Sequence, residues 1–214
     1  MGVTVVPATA EHVGQVEQIL GRTSCWCTYY RMTASEYGRV SAADHAAAVR
    51  VRRSLLRSLL ADDVAPGMLA LNGRDAVGWC GLGRRSELPR LLRSRTIPRV
   101  HDDDAWCIVC FLVEPGVRRR GVAAALLRGA TTYAASAGAI AIEGYPIDPR
   151  GERVNTADAY DGTVSMFADA GFAVVGETRA TAAGLPRWVV RRELVGPHAR
   201  SSTPARRPRA PRGG

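Results

Sequence analysis

A mixed α/β domain is what this sequence predicts, and three observations predict it. Residues 105–113, AWCIVCFLV, are apolar on both faces, which fits a strand buried in the middle of a sheet with elements above and below it. From Gly121 the apolar positions Val122, Leu126, Ala130, Tyr133 and Ala137 recur at helical spacing, while Arg128 and Thr131 fall elsewhere on the wheel. Other strand-like and helix-like segments lie before and after this pair, as expected of a sheet flanked by helices.

Taken in order, residues 3–6 read as a strand, and Thr9 is placed to cap a helix with Val13, Val16, Ile19 and Leu20 on one face. The next stretch, Cys25-Trp26-Cys27-Thr28-Tyr29-Tyr30-Arg31, is rich in rings and thiols. Trp26 and Tyr29 serve there either as a pocket wall or as core plugs, since both roles bury aromatic area. Cys25 and Cys27 have no nearby Cys or His pair to complete four ligands, so no metal is expected. Ser41 with Asp44 resembles a capping box for a second helix running to about residue 60. That helix offers Val49, Leu55, Leu56, Leu59 and Leu60 for burial and turns Arg50, Arg52, Arg53 and Arg57 toward solvent.

After Pro66-Gly67, residues 68–71 and 76–81 read as strands of a hairpin joined by Asn72-Gly73-Arg74-Asp75. Residues 84–100 are basic and punctuated by proline, with a short helix expected over 87–93. The run His101-Asp102-Asp103-Asp104 reads as a solvated turn rather than a metal site. Residues 139–144 form another apolar strand with Glu143 near its end, followed by a polar loop to 159. A short helix within 160–172 stops at Gly171, and residues 172–175 and 187–194 close the sheet as an antiparallel pair.

The composition suits one globular domain over 1–195 and a disordered tail over 196–214 that is rich in arginine and proline and almost free of large apolar side chains. No apolar run is long enough to span a bilayer, and the N-terminus has no export signal. Five cysteines, an odd number, suit a reducing compartment, so a cytoplasmic protein is expected. The net charge is +9, and all 29 basic residues are arginine. Five of them lie in the acid-free tail, which leaves the body near +4, so the charge is a poor argument for nucleic acid.

The chemistry-bearing stretch joins the central strand to the long helix: Arg118-Arg119-Arg120-Gly121-Val122-Ala123. A helix N-terminus leaves backbone N–H groups unpaired and carries partial positive charge, so it receives an anion. Gly121 and Ala123 admit close approach to the main chain and the arginines add fixed charge, which points to a diphosphate. The spacing matches neither the nucleoside-triphosphate loop nor the dinucleotide Gly-x-Gly-x-x-Gly.

Here the chain resembles the GNAT superfamily of acyl-coenzyme-A-dependent N-acyltransferases, whose pyrophosphate loop reads Gln/Arg-x-x-Gly-x-Gly/Ala between a central strand and a helix. The segment Tyr160-Asp161-Gly162-Thr163-Val164-Ser165-Met166-Phe167-Ala168-Asp169-Ala170-Gly171-Phe172 is similar to the family's second signature, a short helix ending in Gly-Phe. The resemblance spans about residues 4–194. Glu143-Gly144-Tyr145-Pro146, together with Cys25-Trp26-Cys27, also resembles a bacterial subgroup of the family.

The resemblance implies the GNAT fold, a central mixed sheet of six to seven strands flanked by helices. It implies an N-acetyltransferase that moves an acetyl group from acetyl-CoA to a primary amine of a small molecule or a protein. Coenzyme A would lie along Phe111, Leu112 and Val113 and rest its diphosphate on Arg118, Arg119, Arg120, Gly121, Val122 and Ala123. A backbone N–H near Phe111 or Leu112 would hold the oxyanion. Cys25, Trp26, Tyr29 and Tyr145 would wall the acceptor pocket. The tyrosine that many members place five residues before the phenylalanine of Gly-Phe is Phe167 in this chain. Tyr160 then offers the acid, with Ser165 and Tyr145 as other candidates. Glu143 is either a base near the splayed sheet opening or a carboxylate that pairs with an arginine and holds the loop. Phe167 also leaves room for an alternative, a non-catalytic acyl-CoA-binding regulator on the same fold. The expected partners are acetyl-CoA and an amine, with no metal, membrane or nucleic acid and with a homodimer allowed.

Overall fold

The computed structural model describes residues 2–151, 160–182 and 184–194, so the tail over 196–214 lies outside the described residues. In chain order the elements are β1 (Thr4–Pro7), α1 (Val13–Leu20), α2 (Ala34–Ala42), α3 (His45–Leu59), β2 (Gly67–Asn72), β3 (Asp75–Arg84), α4 (Pro89–Leu92), β4 (Trp106–Val113), α5 (Val122–Ser136), β5 (Ala141–Gly144), α6 (Val164–Asp169), β6 (Ala173–Ala182) and β7 (Leu185–Glu193). The described strands form one seven-stranded sheet in the order β1-β2-β3-β4-β5-β7-β6. Every neighbouring pair is antiparallel except β4 and β5. This is the mixed α/β sheet the sequence predicts.

The central strand is buried on both faces. Trp106, Ile108 and Phe111 of β4 pack with Leu126, Leu127 and Ala130 of α5, while Cys107 and Val109 join Leu88, Leu91, Tyr145 and Val189 on the other side. Helix α5 lies close against the sheet because two glycines permit it. A Cβ at Gly78 would come within 2.9 Å of Val122, and one at Gly129 within 2.5 Å of Val5. A second cluster packs Val16, Ile19 and Leu20 of α1 with Leu56 of α3, Leu69 and Trp79.

Two expectations about the first half are corrected. The helix expected from Ser41 is two helices, because the chain is extended at Ala43 (ψ 172°) and Asp44 caps α3 by accepting from the Ala47 N–H at 3.0 Å. Helix α2 has its own reciprocal cap, Thr33 with Glu36. Arg52, expected in solvent, is buried. It donates to the Ser24 carbonyl at 3.0 Å and to Ser41 Oγ at 2.6 Å, with its guanidinium 4.4 Å from the Tyr37 ring. The β6–β7 hairpin is also longer than the segments 172–175 and 187–194 suggest, since β6 is exposed or half-buried everywhere but at Ala182 and leaves no apolar signature.

In the 101–104 turn, Asp103 pairs with Arg191 of β7, and Asp104 accepts from the Ser86 N–H at 2.9 Å. Among the described residues no group of three or more His, Cys, Asp or Glu is arranged to hold a metal, and no helix is long and apolar enough to cross a membrane.

Candidate active site

The site begins where two parallel strands part. β4 and β5 share three register pairs, Trp106 with Ile142, Cys107 with Glu143 and Ile108 with Gly144, and then diverge. On its other side β4 carries a bulge at Val109, because Gly81 pairs with Cys110 and Leu82 with Ile108. A bulge bends a strand and re-aims its side chains. Beyond it the exposed edge of β4 carries backbone groups with partners outside the sheet. The Phe111 N–H donates to the Tyr160 carbonyl at 2.5 Å, and the Val113 carbonyl accepts from Arg118 Nε at 3.0 Å.

Two cavities open on this edge. The first, about 420 Å³, is lined by residues 111–113, Arg118, Arg119 and residues 121–123, together with Tyr160 and Thr163. Eight of the nine residues expected to hold coenzyme A therefore meet at one cavity; Arg120 is the exception. Gly121 caps α5 in the left-handed region, at φ +80°, and no side chain caps the helix. The first helical turn thus presents N–H groups to the cavity. A Cβ at Gly121 would meet nothing within 4 Å, so conformation and access, not packing, demand the glycine. Arg119, at φ +60°, turns the loop on the way in. Backbone donors, partial positive charge and arginine side chains around one concave space fit the linked phosphates of coenzyme A.

The second cavity, about 450 Å³, lies between the other side of β4 and the segment joining α1 to α2. Cys25, Cys27, Tyr29, Tyr30, Tyr37, Cys110 and Arg187 line it, and it shares Phe111, Leu112 and Tyr160 with the first cavity. Tyr29 meets Tyr30 edge-on at 5.0 Å and Tyr37 at 5.2 Å, while the Arg90 guanidinium lies 4.0 Å from the Tyr29 ring. Cys27 has its thiol lowered to about 7, chiefly by a hydrogen bond from the Cys110 thiol. Tyr160, shared by both spaces, has its hydroxyl raised above the ordinary phenol range by burial and then by the neighbouring charge of Asp161.

Of the predicted site residues, Cys25, Tyr29 and Tyr160 line the second cavity, whereas Trp26, Tyr145 and Glu143 do not. Trp26 is buried with α1 and α3, with Arg53 5.7 Å from its ring, so it is a core plug. Tyr145 is buried under the sheet, where its hydroxyl donates to Glu143 Oε2 at 3.0 Å and accepts from Arg85 Nη1 at 2.8 Å. Glu143 is only 2% exposed and faces Arg191 Nη1 at 3.0 Å and Arg85 Nη1 at 3.5 Å. Its carboxylate is engaged by two arginines and a phenol, the arrangement of the second of the two roles expected for it, a carboxylate that pairs with arginine. Phe167 is also core, edge-on to Phe111 at 6.1 Å and to Phe172 at 5.0 Å.

The structure adds residues the sequence reading passed over. Arg187 of β7 donates from Nη1 to the Tyr30 hydroxyl at 3.0 Å and from Nε to the Tyr145 carbonyl at 2.8 Å, and pairs through Nη2 with Asp161 Oδ1 at 2.8 Å. Asp161 is 4% exposed and its other oxygen is buried with no hydrogen-bond partner among the described residues. Burial pushes its carboxyl up to about 6, against the opposing pull of Arg187. The only sequence signal for the pair was an acid beside Tyr160 and an arginine inside an apolar strand.

The same fold occurs in solved structures of low identity. Mosquito arylalkylamine N-acetyltransferase like 5b is 12% identical, with a TM-score of 0.55 over 90% of this chain and 100% of its own. The polyamine N-acetyltransferase of Drosophila melanogaster, an enzyme that forms N-acetylagmatine, is 11% identical, with a TM-score of 0.51 over 90% of this chain and 100% of its own. A structure of the NatC complex bound to Gag peptide and coenzyme A is 13% identical, with a TM-score of 0.53 over 91% of this chain and 100% of the matched chain. No curated protein sequence matches this one. The model of the acetyltransferase (GNAT) family matches residues 30–146, more than half of the chain and all of β4, the arginine–glycine loop and α5; the chain therefore belongs to the acetyltransferase (GNAT) family.

Proposed function

We propose that this chain is an N-acetyltransferase that takes its acetyl group from acetyl-CoA and gives it to a primary amine. The observation that carries the reading is the pair of cavities meeting at Phe111, Leu112 and Tyr160, one walled by a helix N-terminus and arginines and the other by aromatic rings. Two proteins of the same fold are named for arylalkylamine and polyamine acetylation, so the fold by itself leaves the acceptor open.

Acetyl-CoA supplies an acyl group already activated as a thioester. The chain's task is then mainly to hold it beside a neutral amine, and such positioning can remove several kcal/mol from the barrier. Residues 121–123 and Arg118 and Arg119 hold the diphosphate end, and the β4 edge at Phe111 and Val113 holds the arm by backbone bonds, as an added strand would. The Phe111 N–H, which the Tyr160 carbonyl now occupies, becomes the donor to the acyl oxygen when that oxygen displaces the carbonyl. Tyr160, like any phenol, is protonated at neutral pH, so it can give its proton to the departing sulfur. Glu143 locks β5 to β7 and takes no part in proton transfer.

The test is release of free thiol from acetyl-CoA with a panel of amines, repeated with Tyr160→Phe. This variant keeps the carbonyl and loses the phenol. Turnover is expected to fall about 100-fold, the usual size for loss of a general acid, with coenzyme A affinity unchanged. Unchanged turnover removes Tyr160 as the acid, and no thiol release with any amine removes the enzymatic reading.

A further inference from the structure

The second cavity is unusual in where its charges lie. Among the described residues that line it none is a carboxylate, and Arg187 is the only one of them with a fixed charge. Asp161 lies behind the cavity wall, paired with the lining Arg187 and set between Tyr160, which lines both cavities, and Gly162, which lines the first. Its charge acts on Tyr30, Tyr160 and Cys110, which come from the α1–α2 segment, from its own segment and from β4 and all line the second cavity. One oxygen of this carboxylate is tied to Arg187, and the other is buried with no hydrogen-bond partner among the described residues. An unpaired buried carboxylate oxygen is costly and calls for a donor. The remaining walls are rings and apolar surface, chiefly Tyr29, Tyr30, Tyr37, Leu20 and Val109. Arg90 adds positive charge outside, lying 4.0 Å from the Tyr29 ring and 5.1 Å from the Tyr37 ring.

Resting on the acyltransferase reading, we propose that the acceptor is a monoamine with a flat or apolar body, whose ammonium group donates to Asp161 and loses its proton there, with Arg187 as the positioning residue. The rings take the body of the ligand, and ring faces also favour a cationic head. A second ammonium group would find no carboxylate among the described lining residues and would face Arg187 and Arg90, so polyamines and lysine-rich peptides are disfavoured. Asp161 accepts one proton from the ammonium group, and the freed nitrogen lone pair forms the C–N bond as the C–S bond breaks with its electrons on sulfur. Of the two protons the nitrogen loses, one leaves to water through Asp161, and the other replaces the proton that Tyr160 gives to the sulfur.

The experiment is a comparison of kcat/KM for 2-phenylethylamine, spermidine and a lysine-rich peptide with the full chain and acetyl-CoA, alongside calorimetry of coenzyme A. Phenylethylamine is expected to exceed spermidine about 100-fold. Its kcat/KM should fall as pH drops below about 6, the range in which Asp161 takes up a proton. Asp161→Asn should abolish that limb while binding coenzyme A as the natural chain does. Equal or better use of spermidine or the peptide overturns the proposal, as does a limb that is absent from the natural chain or survives in Asp161→Asn. Coenzyme A binding without turnover of any of the three amines also overturns it. Loss of coenzyme A binding by the natural chain overturns the acyltransferase reading beneath it.

Discussion

Burial decides what each carboxylate of this chain can do. Glu143 has Arg85, Arg191 and the Tyr145 hydroxyl around it, and removing one member of such a buried set strands the others. Glu143→Gln should lower unfolding stability by about 3 kcal/mol in a denaturant titration while leaving the pH dependence of turnover unchanged. A shifted pH limb would return Glu143 to the mechanism. Asp161 is the opposite case, with a folded-state carboxyl raised to about 6 from an ordinary 3.8. The folded chain therefore binds this proton more tightly than the unfolded one, so this group's contribution to stability declines as pH rises from about 4 to about 6 and stays low above that. Two thiols are both buried and are divided by their partners instead. Cys27 is lowered to about 7 mainly by Cys110, whereas burial pushes Cys107 up to about 12. Iodoacetamide at neutral pH should alkylate Cys27 well before Cys107, as peptide mass spectrometry would show, and an amine acceptor should slow the reaction. Equal labelling of the two would contradict this assignment.

The elements that build the site are short and depend on single residues at their ends. Helix α5 presents its first turn to the cavity because Gly121 adopts φ +80° and no side chain covers the N-terminus. Gly121→Leu should lower stability by about 1–2 kcal/mol, the cost of a left-handed conformation for a residue with a Cβ. It should also weaken coenzyme A binding at least tenfold by calorimetry; unchanged affinity would remove the loop from the binding site. Strand β4 does its work through a bulge at Val109 and through the early end of its pairing with β5 at Gly144. Gly144 in turn admits Phe167, whose ring would lie 2.3 Å from a Cβ at that position. The residue at the position where a tyrosine acid was sought thus packs the space under the splay, which leaves Tyr160 at the junction of the cavities.

Across the whole molecule, the proposed coenzyme A side of the site was legible in the sequence because it is one continuous stretch. The apolar run of β4, the arginine–glycine loop and the periodicity of α5 each carry their own signal, and eight of nine expected residues line one cavity. The proposed acceptor side was not legible to the same degree. Its Tyr30, Tyr37, Cys110 and Arg187 come from four places in the chain and meet only through the topology of the sheet. Trp26, Tyr145 and Glu143 have the residue types of a pocket, yet the fold buries them in the core. A sheet of six to seven strands was expected from resemblance rather than from periodicity, since β6 is too exposed to announce its full length; the strand order comes from the structure. What joins the two sides is the edge of β4, and titration of coenzyme A into the full chain by calorimetry tests that junction most directly. One equivalent should bind saturably, and the Phe111 amide resonance should shift as its Tyr160 partner is displaced. No uptake, or uptake that leaves Phe111 undisturbed, would contradict the account.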